Sequence, residues 1–410
     1  MQITLIYIIN TALLIGISMT GYSKYKRTLL RAHYWPALIL KVLCGILLGQ
    51  LFLHHYRNGD TLMFYDQALA LTSLEFAEFF KAITASTVPS QPVRAIYFVR
   101  ITAVLQWLTH ADYWLLSAYF SLFSFLGSSY LINKLTQWKP MMIGSATAAF
   151  YYFPSIIFWS SGLLKESLTF GAVTFLIGAY LSWRQSKKTR LKGLFIGFLA
   201  AIILVSIKYY IAAVFLPLLI FLIMYHQNFW DNRKIFSLWK KSILLAFALL
   251  LPVLFFLSWL NPNLSFSVLW EVMNTSHQEY LLLAPEGALY ALYWFGNDLD
   301  ILINLPYLWF SGIFRPLVGE DITFPALFSC IENSLLLIGA LYGLYNARKK
   351  SYTWSIELVA IVIYISALSI FLSYSAPNFG TLARFKIYYL PFVVLLILNT
   401  IPMPKFLWNN

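Results

Sequence analysis

A few charged side chains stand out because they lie in or beside long apolar segments. Asp60 follows Gly59 at the end of one such segment, in the stretch YRNGD. A carboxylate held at a membrane surface beside an apolar wall is suited to act as a general base. Asp60 also stands immediately before an apolar helical pattern, where Asp commonly caps a helix. The sequence leaves both roles of Asp60 open.

Basic residues from four separated regions form a second candidate group. Lys165 lies in FWSSGLLKES, Lys208 in SIKYYIAAV, Arg315 in FRP and Arg384 in GTLARFK. Cationic groups that converge beside carboxylates suit a phosphate-bearing lipid with chemistry next to it. The alternative is that each side chain snorkels to the headgroup region, and this is what we expect for Lys386.

Other acidic residues are secondary candidates. Asp66 is expected on the solvated face of the helix that follows Asp60. Glu166 adjoins Lys165, and neighbours on a helix do not face each other, so different partners are expected for the two. Alternatively, both residues lie just outside the hydrocarbon and simply start a span. Glu320 and Asp321 follow closely behind Arg315.

No metal-ligand motif is found. The six histidines form no H-E-x-x-H or comparable spacing. We therefore predict no metal site from a motif, although scattered carboxylates in the outer loops are candidates for a hard divalent cation.

The elements that position these residues are mainly membrane spans. The chain is 60% hydrophobic and 11% charged, whereas a soluble domain is about 45–50% apolar and about 25% charged. A span needs roughly 20 mainly apolar residues. Eleven runs meet this requirement: 3–20, 35–53, 114–132, 141–159, 163–183, 193–209, 211–226, 242–260, 326–346, 354–373 and 387–403. We therefore predict an all-α polytopic bundle of about eleven spans, forming one transmembrane domain over residues 1–410.

The distribution of charge predicts the orientation of the bundle. Nineteen of the 29 basic residues lie in five short loops of one parity and in the C-terminal tail. Twelve of the 16 acidic residues lie in two long loops of the other parity. Since Lys and Arg are retained on the cytoplasmic side, the N-terminus is predicted outside and the C-terminus inside.

Two long outer loops hold most of the polar chemistry. The first covers 54–112, and its stretch 62–80 has the pattern of an amphipathic helix lying in the membrane interface. The second covers 261–325 and is rich in aromatic residues, with Asp298 and Asp300 arguing against a further span.

Several partner classes are excluded by the sequence. The formal net charge of +13 lies in short juxtamembrane loops, so topology and anionic lipids explain it better than nucleic acid. Neither G-x-x-x-x-G-K-[ST] nor G-x-G-x-x-G is present, so no seat for ATP or a sugar nucleotide is predicted.

Several segments together resemble the GT-C superfamily of multispan glycosyltransferases. They are NGDTLMFYDQA, FWSSGLLKES, IKYYIAAVFLPLL, FSGIFRP and NFGTLARFKIYYLPF, of which the last four look like segments of bacterial envelope-polysaccharide membrane proteins. The resemblance implies a catalytic carboxylate early in the first long outer loop, which matches Asp60, and a sugar donor linked to a polyprenyl phosphate. Here the loop follows the second span, so one extra helix precedes it.

The resulting expectation is a glycosyltransferase of the bacterial inner membrane. It would move a sugar from a polyprenyl-phosphate carrier to a glycan, lipid or protein acceptor at the outer face. Asp60 would deprotonate or orient the acceptor, and the four basic residues would hold the lipid phosphate. One outer cavity is then expected to place the basic groups roughly 10–15 Å from Asp60. Over such a distance dissolved salt does not fully screen the interaction between two charges.

Two alternatives stay open. A glycan polymerase or ligase that acts on lipid-linked oligosaccharides would need the same phosphate site. A transporter or flippase would instead use Lys41, Glu332 and Glu357, which lie inside predicted spans. In that case the three residues would form a buried ion pair or a polar path through the bundle.

Overall fold

The computed structural model describes residues 2–56, 59–85, 95–185, 187, 189–227, 266–283, 289, 300–320, 324–348 and 355–401. These ranges are helical and contain no strand, only an isolated bridge between Leu289 and Asn378. The prediction of an all-α bundle is confirmed at this level. The predicted span 242–260 and the candidate Asp321 lie outside the described residues. The chain folds into two compact units, a first unit of Met1–Ile207 and a second unit of Lys208–Asn410.

The membrane-spanning character of the helices is clear from their length and composition. Seven described helices could cross a membrane: Ile3–Tyr25, Arg31–Tyr56, Tyr113–Trp138, Arg190–Ile207, Tyr209–His226, Ala326–Ala347 and Ile356–Ser375. Phe379–Tyr388 and Leu390–Thr400 form a pair bent by 69° that counts as one more span if taken together. The polytopic bundle is therefore supported, while the count of eleven stays a prediction.

The first unit is built around two long helices that pack on each other, α6 and α9. Its helices are α1 (Gln2–Tyr25), α2 (Arg31–Leu51), α3 (Asp60–Thr72), α4 (Phe76–Thr84), α5 (Ile96–Thr109), α6 (Tyr113–Trp138), α7 (Ile143–Thr147), α8 (Pro154–Trp159), α9 (Lys165–Gln185) and α10 (Arg190–Ile207). A π-helical turn, Phe52–Tyr56, extends α2.

The predicted span 141–159 is not one continuous helix. It consists of a 3₁₀ turn, α7, a π-helical turn and α8. Pro140 and Pro154 each stand at the start of a segment, where a missing N–H does least harm, and interrupt any longer helix. Residues 160–164 then run without helical structure to α9 and are buried. Such backbone is tolerated at membrane depth only where protein surrounds it.

The predicted amphipathic helix 62–80 is split in two. Helix α3 ends at Thr72, and Glu75 adopts an extended backbone (ψ 152°) before α4 begins. The buried face of α3 is Thr61, Phe64, Ala68 and Leu71. On α4, Phe79 is buried against Trp107, whereas Phe76 is 64% exposed. Helix α4 therefore has the apolar outer face that a membrane interface requires.

The second unit contains a small helix, α16, set between longer ones. Its described helices are α11 (Tyr209–His226), α12 (Phe266–Leu283), α13 (Asp300–Phe314), α14 (Phe324–Ala347), α15 (Ile356–Ser375), α16 (Phe379–Phe385) and α17 (Leu390–Thr400). Helix α15 packs on α11 and α13, and α14 packs on α17. Asn378 caps α16 by accepting from the Thr381 N–H at 2.9 Å. Pro391 at the start of α17 prevents the two helices from merging.

Candidate functional site

Asp60 is the first residue of α3 and is half-buried. The N-cap residue of α3 is Gly59, one position before Asp60. The capping role considered for Asp60 is therefore wrong. A carboxylate in the first turn is favoured by the helix dipole. Gly59 has an ordinary φ of −77°, so no special turn requires glycine there. Its small size is required instead, because a Cβ would meet the Phe52 ring.

Lys165 lies close to the helix that begins with Asp60. Its ammonium sits over the Phe64 ring, 4.8 Å from the ring centroid. Phe64 is four residues after Asp60, so the two share one face of α3. The neighbouring Thr61 is fixed by a 3.1 Å hydrogen bond from the Tyr113 hydroxyl. Lys165, which is far from α3 in sequence, thus packs against the helix that begins with Asp60.

Glu166 and Asp66 differ strongly in environment. Glu166 is fully buried in the first turn of α9, whereas the adjacent Lys165 is half-buried. The two side chains therefore have different surroundings, and the alternative that both lie just outside the hydrocarbon stays a prediction. Asp66 is exposed on α3, as predicted for the solvated face.

The other three predicted cations come together around α16 in the second unit. The guanidinium of Arg315 lies over the Phe379 ring at 5.2 Å, and the ammonium of Lys208 lies over the Phe385 ring at 4.3 Å. Arg384 is in the last turn of the same helix and is half-buried. Lys208 is only 6% exposed, so it does not snorkel. Three cations from separate chain regions are thus assembled on one seven-residue helix.

Arg315 already has a carboxylate partner. Its Nε donates to Glu320 Oε1 at 2.7 Å, and its Nη1 donates to the Tyr307 hydroxyl. Glu320 Oε2 accepts from the Leu317 N–H at 2.7 Å. Glu320 is therefore the counter-ion of Arg315 in this structure, and a bound phosphate would compete with it.

Lys386 contradicts the snorkelling expected for it. The side chain is 1% exposed, and its Nζ donates to the carbonyls of Ile313 at 3.1 Å and Arg315 at 2.5 Å. Sequence reasoning missed this role, since nothing in FKIYYLP distinguishes a buried lysine from an interfacial one. The aromatic pair Phe379 and Phe385 was also missed, although its placement around Arg384 is visible in the sequence.

The three charged residues assigned to a transporter have separate surroundings. Lys41 belongs to the first unit, where its Nζ bonds the Ser160 hydroxyl. Glu357 belongs to the second unit and pairs with His226 at 3.0 Å. Glu332, also in the second unit, acts electrostatically on Lys386.

One histidine of the second unit is also buried. His277 Nδ1 donates to the Tyr374 carbonyl at 2.7 Å, and the imidazole stacks on the Tyr374 ring. Burial lowers the pKa of His277 below 6.5. The imidazole is therefore neutral near pH 7, with its Nδ1 protonated.

Among the residues that the structure describes, no group of three or more His, Cys, Asp or Glu is arranged to hold a metal ion. The candidate divalent cation at outer-loop carboxylates stays a prediction, because several of those carboxylates, including Asp321, lie outside the described ranges.

Comparisons of the chain with protein-family models, curated proteins and solved structures found no match. The resemblance to the GT-C superfamily stays a prediction. Chemically, the first unit offers a carboxylate at the start of α3 and an ammonium packed on Phe64 of the same helix, and the second unit offers cations around α16, two of which lie over aromatic rings. The shared cavity expected for Asp60 and Arg384 also stays a prediction, since the two residues belong to different units.

Proposed function

We propose that the protein is a membrane glycosyltransferase that takes a sugar from a polyprenyl-phosphate carrier. The observation that carries the proposal is the assembly of Lys208, Arg315 and Arg384 around α16. Three cations around one short helix, two of them over aromatic rings, suit an anionic headgroup attached to a hydrocarbon tail in a chain this apolar. Guanidinium groups bind phosphate through paired hydrogen bonds, and an ammonium adds a compact charge.

In the proposed reaction, an acceptor hydroxyl attacks the anomeric carbon of the sugar. The bond from that carbon to the phosphate oxygen breaks, and the carrier phosphate leaves with the bonding electrons. Asp60 takes the proton of the acceptor hydroxyl, and Lys165 helps to hold the lipid phosphate. Arg384, Lys208 and Arg315 offset the negative charge that develops on the leaving phosphate. The donor arrives already activated, so neither ATP nor a sugar nucleotide is needed.

The proposed location is the bacterial inner membrane, with the N-terminus outside and the reaction on the outer face. A glycan polymerase or ligase would share the same cationic cluster. The product separates these activities, because loss of a polymer ladder with intact single units indicates a polymerase. Absence of a single sugar indicates a transferase.

The test is complementation of a deletion strain, with the envelope glycan analysed by gel and mass spectrometry. Asp60→Asn should reduce transfer about 10²–10⁴-fold, the usual contribution of a general base. Arg384→Gln should reduce it about 10²–10³-fold, as for removal of one group that stabilises a developing anion.

Matched controls use charged residues on exposed surfaces. Glu78→Gln changes an exposed acid on α4, and Arg348→Gln changes an exposed arginine after α14. Both controls should retain transfer. Full activity of Asp60→Asn would exclude its role as the base, and full activity of Arg384→Gln would exclude the phosphate site.

A further inference from the structure

Two of the last carbonyls of α13 are bonded by side chains from another segment. The last carbonyls of a helix lack intrahelical partners. Here the Gly312 carbonyl accepts from the Tyr389 hydroxyl at 2.6 Å, and the Ile313 carbonyl accepts from Lys386 Nζ at 3.1 Å. All of these donors come from the segment directly after α16.

Side chains also bond the carbonyls just past the end of the helix. Lys386 Nζ also donates to the Arg315 carbonyl at 2.5 Å, and Asn333 Nδ2 donates to the Pro316 carbonyl at 3.1 Å. Asn333 Oδ1 lies 3.5 Å from Lys386 Nζ. The backbone on both sides of the Arg315 side chain is thus held by one buried ammonium and one buried amide.

Two opposing effects act on the charge of this ammonium, of which burial, the larger, disfavours it. The carboxylates of Glu332 and Glu320 favour the charged form and reduce, but do not cancel, the cost of burying it. The end of a helix carries partial negative charge, which a cation stabilises. Since the residue is 1% exposed, its ammonium is held inside the protein and does not itself reach a lipid headgroup.

We propose that Lys386 is a positioning residue that orients Arg315 for the lipid phosphate. This inference rests on the proposed function, because it assigns Arg315 to phosphate binding. Lys386 links two cations of the cluster: it follows Arg384 by two residues in sequence and bonds the backbone of Arg315. Removing its ammonium should loosen residues 311–320, so that the Arg315 guanidinium is still present but is no longer held in one orientation.

The first measurement is hydrogen exchange on the full chain in lipid nanodiscs, which needs no ligand. Lys386→Met should speed exchange in residues 311–320. The matched control is Lys41→Met, which removes a similarly buried ammonium, 3% exposed, from the first unit. Unchanged exchange in 311–320 for Lys386→Met, or an equal increase for Lys41→Met, would overturn the proposal.

The second measurement is binding of a long-chain polyprenyl monophosphate to the same nanodiscs. Lys386→Met should weaken binding about tenfold in the wild-type background and have no further effect in an Arg315→Met background. This non-additivity is the signature of one residue that acts through another. An equal loss in both backgrounds would show that Lys386 acts independently of Arg315 and would overturn the proposal.

If wild-type protein does not bind the polyprenyl phosphate, the proposed function fails, and the exchange result still decides whether Lys386 holds residues 311–320. Should Lys386→Met not fold, Asn333→Ala keeps the ammonium and removes the bond to the Pro316 carbonyl together with the 3.5 Å contact to Lys386 Nζ. It should then speed exchange in 315–320 and weaken phosphate binding several-fold. Wild-type values for that variant would contradict the coupling.

Discussion

At the scale of single residues, the cations of this protein are placed against aromatic rings. Lys165 lies over Phe64, Lys208 over Phe385 and Arg315 over Phe379. A desolvated cation over a ring gains about 2 kcal/mol, and the ring does not neutralise its charge as a carboxylate would. Arg315 also pairs with Glu320 at 2.7 Å, so a ring and a carboxylate act on the same guanidinium.

The buried imidazole of His277 gives a prediction about pH. Its pKa is lowered by burial in the folded protein, so the unfolded chain binds more protons below about pH 6.5. The stability contributed by neutral His277 is fully present above that pH and is lost as the pH falls toward the folded pKa. We expect thermal stability in detergent to decrease between about pH 7 and pH 5.

His277→Gln should flatten this decrease, because glutamine does not titrate and its amide can still donate to the Tyr374 carbonyl. The control is His54→Gln at an exposed position, which should keep the wild-type profile. If His277→Gln shows the same slope as the wild type, the loss of stability has another origin.

At the scale of elements, the sequence predicts those features that depend on length and composition. The apolar runs at 3–20, 114–132 and 211–226 all correspond to helices long enough to span. The short helices α5 and α13 were not predicted, since each lies within a loop and is apolar for fewer than 18 residues. They form because α5 packs on α3 and α13 packs on α15, which are contacts that periodicity does not reveal.

The candidate site was also predicted only in part, because the sequence shows residue types but not the contacts that tertiary packing creates. The types of Lys208, Arg315 and Arg384 pointed to phosphate, and the structure brings them to one helix. The pairing of Arg315 with Glu320 was not predictable beyond their nearness in sequence. The burial of Lys386 depends on tertiary packing of α13 and α14, which a single sequence does not specify.

The break between α8 and α9 gives a prediction about one element. Gly162 has a φ of +75°, and a Cβ there would lie 3.3 Å from the Gly45 carbonyl oxygen and 3.2 Å from Leu48 Cδ2. Its N–H donates to the Ser121 hydroxyl at 2.8 Å. Gly162→Ala should therefore destabilise the protein by about 1–3 kcal/mol, the cost of a strained backbone position.

The measurement is unfolding by denaturant in detergent micelles, with Gly16→Ala as the control. Gly16 lies within α1 and has no atom within 4 Å of an added Cβ, so alanine should cost nothing there. Equal unfolding midpoints for Gly162→Ala and the wild type would mean that the break does not require glycine.

At the scale of the whole molecule, charge and hydrophobicity act on different properties. Hydrophobicity determines which segments enter the lipid, and the described helices agree with it. Charge determines which side each loop occupies, through the cost of moving Lys and Arg across the membrane. The orientation is thus a separate prediction from the fold, and it decides whether the first long loop, with Asp60, reaches the outer face.

The orientation can be measured by labelling single cysteines with a membrane-impermeant maleimide. The native residues Cys44 and Cys330 are buried, so the background should be low. Lys187→Cys and Arg348→Cys lie in basic loops predicted inside, and they should react only after the cells are permeabilised. Glu78→Cys, exposed on α4, should react in intact cells because the first long loop is predicted outside. Labelling of residue 187 in intact cells would show that the orientation is the opposite of the predicted one. Asp60 would then lie on the cytoplasmic side, where the proposed transfer from an outer-face donor could not occur.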